Sequence, residues 1–509
     1  MNGGVNWYNI TLTGTGFMAD AYDLFVINVV VDIMSEIAYK QPLTTTVKAN
    51  VKSMALVGAL FGQLIFGCLA DVVGRKWVFM TTCAMVIIGA FTSASVVDSE
   101  SWGIYSQLAL WRFVTGLGIG GEYPLSASIT SESASPSERT TSLAMVFSMQ
   151  GFGSVMCSVV LVFATQLIQD EETQWRFALT MGGLPMMIAF YFRWRMYTDH
   201  QDTTQMTHQR ASNPLYLEKA QINACITHGH TRHVFSPIDS SSDEKVNTEA
   251  SINLQNGHDY ENSSSPTALI ESLQWFCSLV YIERHKLLGT AGVWFILDVV
   301  FYANGLFSGQ VSKTIGFIGT PKGEAISTLV LNLISLPGYI VAIYYCEKVG
   351  LKRIQEIGFI VIIIVFFLMA YLFDTLSEVP ALFIALYGLT FFFQNFGPNA
   401  TTYIIPSLIY IPEHKGTCHG ISAAAGKLGA IIGTVIFAKA TEKLCTDNQC
   451  DDGDSETNIT KGLQLSFGIC CIFAVLGFFW SNHFVPLSYW TASRQERDLP
   501  VLVQQINNI

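Results

Sequence analysis

The sequence predicts an all-α integral membrane protein of twelve transmembrane helices arranged as two six-helix halves. Three observations carry that prediction. Half of the 509 residues are hydrophobic and only 13% are charged, against roughly 25% in soluble domains. Twelve apolar stretches come close to the roughly 20 residues that cross a bilayer. One short motif also recurs at the same place in each half. The formal charge of −11, from 28 basic and 39 acidic residues, excludes a nucleic-acid binder, which needs a basic face. The apolar excess excludes a soluble enzyme with a charged surface, a disordered chain and a disulfide scaffold.

In chain order the candidate spans fall near 10–34, 47–69, 77–97, 104–130, 141–167 and 177–196, then 287–312, 325–346, 354–374, 380–409, 417–440 and 461–482. Long apolar runs containing Gly and Pro suit helices in lipid, where each segment must satisfy its own backbone. A membrane barrel would instead show short runs alternating with period two. The first stretch lacks a basic leader and a small-residue cleavage site, so it is expected to be retained as a span.

Arg75, Lys76, Arg139, Lys348, Lys352, Arg353 and Lys415 cluster in the connections near 71–76, 131–140, 347–353 and 410–416, while 98–103 and 374–380 carry no base. By the positive-inside rule both termini are expected to be cytoplasmic, against a weaker contribution from Lys40, Lys313, Lys322 and Lys443. The predicted domains are a first bundle over 1–196, a cytoplasmic linker over 197–284, a second bundle over 285–482 and a cytoplasmic tail over 483–509. The linker holds eleven acids against five bases and six His, and buries too little apolar surface to order itself. Its His residues and Cys225 lack metal-ligand spacing, so it reads as a solvated tether. Residues 268–283 are expected to form an amphipathic helix at the membrane surface. Cys445 and Cys450 sit in a polar acidic loop, where a disulfide and free thiols remain open alternatives. The sequon at Asn458 abuts the last span and is discounted.

The repeat is Asp71-Val72-Val73-Gly74-Arg75-Lys76 after the second span and Glu347-Lys348-Val349-Gly350-Leu351-Lys352-Arg353 after the eighth. Pseudo-symmetric halves around a midplane site are the architecture of secondary transporters.

Ionisable groups inside spans cost about 2.5 kcal/mol upward, which makes them functional candidates. The first span carries Asp20 and Asp23, three apart and on one helical face; Asp32 lies nearer its end and is expected at the interface. The fourth span carries Arg112 and Glu122, followed by Tyr123 and Pro124. Its glycines imitate a dinucleotide loop, but no strand precedes them, and close helix packing explains them better. The seventh span places Trp294, Asp298 and Tyr302 at i, i+4 and i+8 on one face, an indole, a carboxyl and a phenol able to wrap a small oxyanion. Asp298 must then be protonated when the anion binds. Lys427 in the eleventh span needs a partner, and Asp298 is the expected one. Gly426-Lys427 is no P-loop, because Leu428 replaces the Ser or Thr. Gln150, Asn395 and Asn399 add neutral donors.

These stretches are similar to the phosphate:H⁺ symporter family of the major facilitator superfamily. The resemblance rests on Gly16–Phe25, Gly118–Ser126, Asn395–Thr402 and His419–Lys427. It implies the major facilitator fold and a phosphate site formed by Tyr123, Gln150, Trp294, Asp298, Tyr302, Asn399 and Lys427. It further implies proton handling by Asp20, Asp23, Glu122 and Asp298, charge balance by Arg112 and Lys427, and gating by Asp71 and Arg75. The chain departs from the family in having Glu122 for the usual Asp, and Thr82 where the family has a glutamate. Pro406-Ser407-Leu408 stands in place of Pro-Gly-Glu, and no Pro-Glu-Thr run occurs at 193–198.

The expected function is therefore proton-coupled inorganic phosphate transport by alternating access. The expected host is the plasma membrane, and the expected partners are phosphate, protons, the lipid bilayer and cytoplasmic regulators of the 197–284 loop. The alternatives are a carrier of another small anion or a sugar, or a phosphate receptor. No enzyme, cofactor, metal or nucleic-acid role is expected, because no nucleophile–base pair, metal cluster or cofactor loop is seen.

Overall fold

A computed structural model describes residues 7–39, 43, 45–99, 101–198, 266–305, 308, 311, 320–446 and 454–485. Those residues form twelve long helices. The first six are α1 (Trp7–Asp32), α2 (Thr45–Val72), α3 (Arg75–Ala94), α4 (Ile104–Ser133), α5 (Arg139–Leu167) and α6 (Glu171–Thr198). The second six are α7 (Pro266–Gly305), α8 (Pro321–Tyr345), α9 (Leu351–Tyr371), α10 (Pro380–Ile409), α11 (Lys415–Thr446) and α12 (Asp454–Phe484). The chain divides into two compact units, one of residues 1–194 with 282–509 and one of residues 195–281.

Nine of these helices are long and apolar enough to cross a membrane. The other three, α1, α4 and α6, carry Asp20, Asp23, Arg112, Glu122 and Arg193, all buried. Their interior charges lower the average hydropathy while pointing away from lipid. The outward faces are greasy: Ile357, Ile360, Ile364, Phe367 and Tyr371 line one exposed stripe of α9 at helical spacing. An apolar stripe of that length facing outward needs a bilayer as its solvent.

The halves repeat each other. In the first, α4 packs on α2 and α3; six helices later, α10 packs on α8 and α9. Across the divide α2 packs on α11 and α5 on α8, and a shift of six positions exchanges these two contacts. The repeated motif has the same local geometry in both copies: Gly74 and Gly350 precede α3 and α9 with φ of 102° and 95°. That left-handed conformation strains any residue with a Cβ.

Several local expectations change. Residues 268–283 are continuous with the seventh span inside α7 and do not form a separate surface helix. Asp32, at the end of α1, is buried and paired with Lys48 at 2.5 Å and Lys52 at 3.6 Å. Asn458 falls within α12. Linker residues 199–265, Cys450 and the tail from 486 onward lie outside the described residues.

Candidate functional site

The helical repeat places Trp294, Asp298 and Tyr302 on one face of α7, directed at α11. Gly426 makes room for the first of them: a Cβ there would lie 2.4 Å from Trp294 Cδ1. The next residue, Lys427, donates to Asp298 Oδ2 at 3.2 Å and to Tyr302 Oη at 2.8 Å. The expected lysine–aspartate pair is therefore formed, with both side chains 2% exposed. The ammonium also lies 4.5 Å from the Tyr302 ring centroid and 5.2 Å from that of Tyr123 on α4, within cation–π range. Tyr123 and Trp294 rings lie 6.4 Å apart, which brings residues of both halves to one cluster.

Asn399 is positioned by a break in α10. Pro398 offers no N–H to the helix, and residues Asn395–Asn399 form a π turn in which Gly397 leaves helical geometry. Asn399 Nδ2 donates to Asn395 Oδ1 at 2.9 Å and to Tyr339 Oη at 3.2 Å. Gln150 on α5 is buried, and its Oε1 has no hydrogen-bond partner among the described residues. A cleft lined by Phe25, Asn28, Ser154, Asn332, Tyr339 and Asn395 among others lies between the halves. Gly305 at the far end of α7, and Ser308 beyond it, also line it, so it lies toward the end opposite the 71–76 motif.

The acids of the first half go to different partners, although Asp20 and Asp23 share a helix face. Arg112 Nη1 lies 3.9 Å from Asp23 Oδ1, and its Nη2 donates to the Asp23 carbonyl. Glu122 is held by Arg193 of α6 through two parallel bonds of 2.8 and 2.7 Å, and Thr82 donates to Glu122 Oε1 at 3.0 Å. Both oxygens of Asp20 are buried with no hydrogen-bond partner among the described residues.

On the other side of the Lys427 cluster from the cleft lies an aromatic floor. Phe17 sits 4.8 Å from Tyr123 and 5.1 Å from Tyr403, and Phe147 stacks on Tyr403 at 5.0 Å. His419 stands edge-on to Trp294 at 5.6 Å and to Tyr403 at 5.4 Å. Beyond this floor the halves are closed together. Asp71 accepts from Gly416 N, Thr417 N and Thr417 Oγ1 at 3.1, 2.7 and 2.8 Å, which caps the N-terminus of α11 from the opposite half. Arg75 pairs with Glu132 and donates to the Pro412 carbonyl at 3.0 Å. Thr141 donates to Glu347 Oε1 at 2.8 Å.

The structure thus brings Tyr123, Trp294, Asp298, Tyr302 and Lys427 together, and places Asn399 behind Asn395 and Tyr339, its hydrogen-bond partners, which line the adjoining cleft. Asp23 and Arg112 form a separate pair inside the first half, while Asp71 and Arg75 stand at the closed end. Sequence reasoning passed over Arg193, Tyr339, Tyr403 and His419. A signal existed for Arg193: a guanidinium inside the 177–196 span needs an acid. The tyrosines carried none, because buried aromatics are ordinary core residues, and His419 stood out only as the first residue of the His419–Lys427 stretch.

A family model described as Major Facilitator Superfamily matches residues 13–434. The low affinity inorganic phosphate transporter 3 of Petunia hybrida is 32% identical over 489 residues, covering 88% of this chain and 85% of that protein. The inorganic phosphate transporter 1-1 of Arabidopsis thaliana is 32% identical over 475 residues, covering 85% and 84%. Among solved structures, the proton:xylose symporter XylE bound to a bromodeoxyglucose superposes with a TM-score of 0.66 at 17% identity, covering 96% of this chain and 97% of that one. That likeness establishes the fold.

Proposed function

The chain belongs to the Major Facilitator Superfamily, among the relatives named inorganic phosphate transporters, and on that premise we propose that it carries inorganic phosphate across the plasma membrane coupled to protons. The observation that carries this reading is the buried Lys427–Asp298–Tyr302 group where the halves meet. A cation with phenol, indole and amide donors around it suits a small tetrahedral oxyanion. The carboxylate in the same place repels that anion unless it is protonated, so proton loading and anion loading become one event.

In this reading the motif end is cytoplasmic and both termini lie inside. The cleft admits phosphate and protons from outside while the Asp71–α11 contacts hold the inner end shut. A proton adds to the Asp298 carboxylate and frees Lys427. Phosphate then docks against Lys427, Tyr302, Tyr123 and Trp294, with Asn399 and Gln150 as neutral donors. The halves rock, the inner contacts part, and the proton and phosphate leave to the cytoplasm. Lys427 pairs again with ionised Asp298 for the empty return.

Radiolabelled phosphate uptake into liposomes holding the purified protein tests this. Uptake is expected to require an inward proton gradient, and arsenate is expected to compete while sulfate and glucose do not. Uptake indifferent to the gradient rejects coupling. Competition by glucose rejects the anion site, and binding without uptake points to a receptor.

A further inference from the structure

Glu122 and Arg193 form a closed pair whose partner groups leave no carboxylate oxygen unserved. The guanidinium gives one N–H to each oxygen, at 2.8 and 2.7 Å, a fork that a cation unable to deprotonate in proteins makes durable. Thr82 adds a third donor at 3.0 Å, and the Phe79 ring lies 3.5 Å from the guanidinium carbon. Both side chains are fully buried. The pair is seated against the backbone of α1: a Cβ on Gly16 would lie 2.4 Å from Arg193 Nη2 and 2.5 Å from Glu122 Oε2.

One turn further along the same face stands Asp20, with both carboxyl oxygens buried and without a hydrogen-bond partner among the described residues. The charged groups around it are Glu122 on α4, Arg193 on α6, Lys427 on α11 and Asp23 on its own helix, with Cys83 of α3 beside Arg193. Lys427 is already paired with Asp298. Arg193 is committed to Glu122, and Asp23 has Arg112.

We propose that Arg193 is a positioning residue that keeps Glu122 ionised throughout the cycle, so that Asp20 is the one acid of this cluster that takes up and releases a proton. This deepens the proton-coupled reading above and rests on it. Protonating Glu122 would break charge-assisted bonds and strand a buried guanidinium without a counter-charge. Protonating Asp20 breaks no bond and removes a buried charge that no partner answers. The proton arrives from the outer cleft, forms an O–H bond on Asp20, and leaves to water on the inner side as the carboxylate is restored.

Calorimetry of inorganic phosphate binding to the purified full-length chain tests this without requiring turnover. Titrations in buffers of different ionisation enthalpy count the protons taken up per phosphate bound. The double variant Glu122→Gln with Arg193→Gln is expected to keep the wild-type count, and a lower count overturns the proposal. Arg193→Gln alone strips Glu122 of its cation, makes that carboxyl titratable and is expected to shift the pH profile of the count. Arg193→Lys is expected to restore the profile, whereas an unchanged profile in Arg193→Gln overturns the clamp. Asp20→Asn, an isosteric change, is expected to lower the count, and an unchanged value contradicts the assignment. Wild-type protein that binds phosphate without proton uptake refutes the coupled reading itself, a result obtained before any variant is made.

Discussion

Lys427 Nζ stands 3.2 Å from Asp298 Oδ2 and ties α11 to α7 on the side of the second half that meets Tyr123 of the first. With both groups almost wholly buried, the pair is neutral as a unit, and in the proposed cycle an arriving anion must displace the carboxylate from the Lys427 ammonium. In the proposed cycle a proton on Asp298 performs that displacement.

Asp298→Asn removes the titrating group while keeping its shape. It is expected to lower gradient-driven phosphate accumulation by about tenfold or more, the equivalent of ~1.4 kcal/mol. Radiolabelled uptake with and without a proton gradient checks this. Normal accumulation would show that the carboxyl takes no part.

Lys427→Met keeps an unbranched stem and deletes the cation. Breaking a buried pair by removing one member costs about 3–5 kcal/mol, so thermal unfolding in detergent is expected to move clearly downward. Phosphate binding is expected to weaken in the same preparation, because the stranded carboxylate faces the site. A variant as stable and as tight as the parent contradicts this role.

Asp71→Asn weakens the cap that the first half places on α11. Hydrogen bonds to charged groups contribute about 1.5–3 kcal/mol each, and loss of even one such bond shifts a two-state balance by roughly tenfold. Spin labels on the closed ends of α2 and α11 are expected to report a longer separation in this variant. An unchanged distance distribution would remove Asp71 from the gate.

The sign of the pH dependence follows from chemistry. Asp298 must carry a proton before an anion can share its surroundings, so uptake is expected to rise as external pH falls. The Asp298→Asn variant should flatten that profile. A wild-type profile that rises with alkalinity would reverse the assigned order of loading.

Much of this was legible in the sequence because lipid leaves few options. A lysine in an apolar run must find an acid, and the i, i+4, i+8 spacing on α7 indicated where it lies. The repeated Gly74 and Gly350 predicted a duplication because a positive φ is hard to replace. Other features were hidden. Asp20 and Asp23 share a face, yet one meets the Glu122–Arg193 pair and the other meets Arg112, a distinction set by which neighbouring helix reaches each. The closing contacts of Asp71 join residues more than 340 positions apart, which no local pattern reveals. Tyr339, Tyr403 and His419 were hidden because three separate helices, α8, α10 and α11, bring them beside Trp294 and Asn399.

The most direct test records hydrogen-ion entry and labelled phosphate entry together in sealed vesicles containing only this protein. The account predicts that the two fluxes start together, stop together and keep a fixed ratio when either gradient is varied. Phosphate crossing at full rate with no accompanying acidification would contradict it.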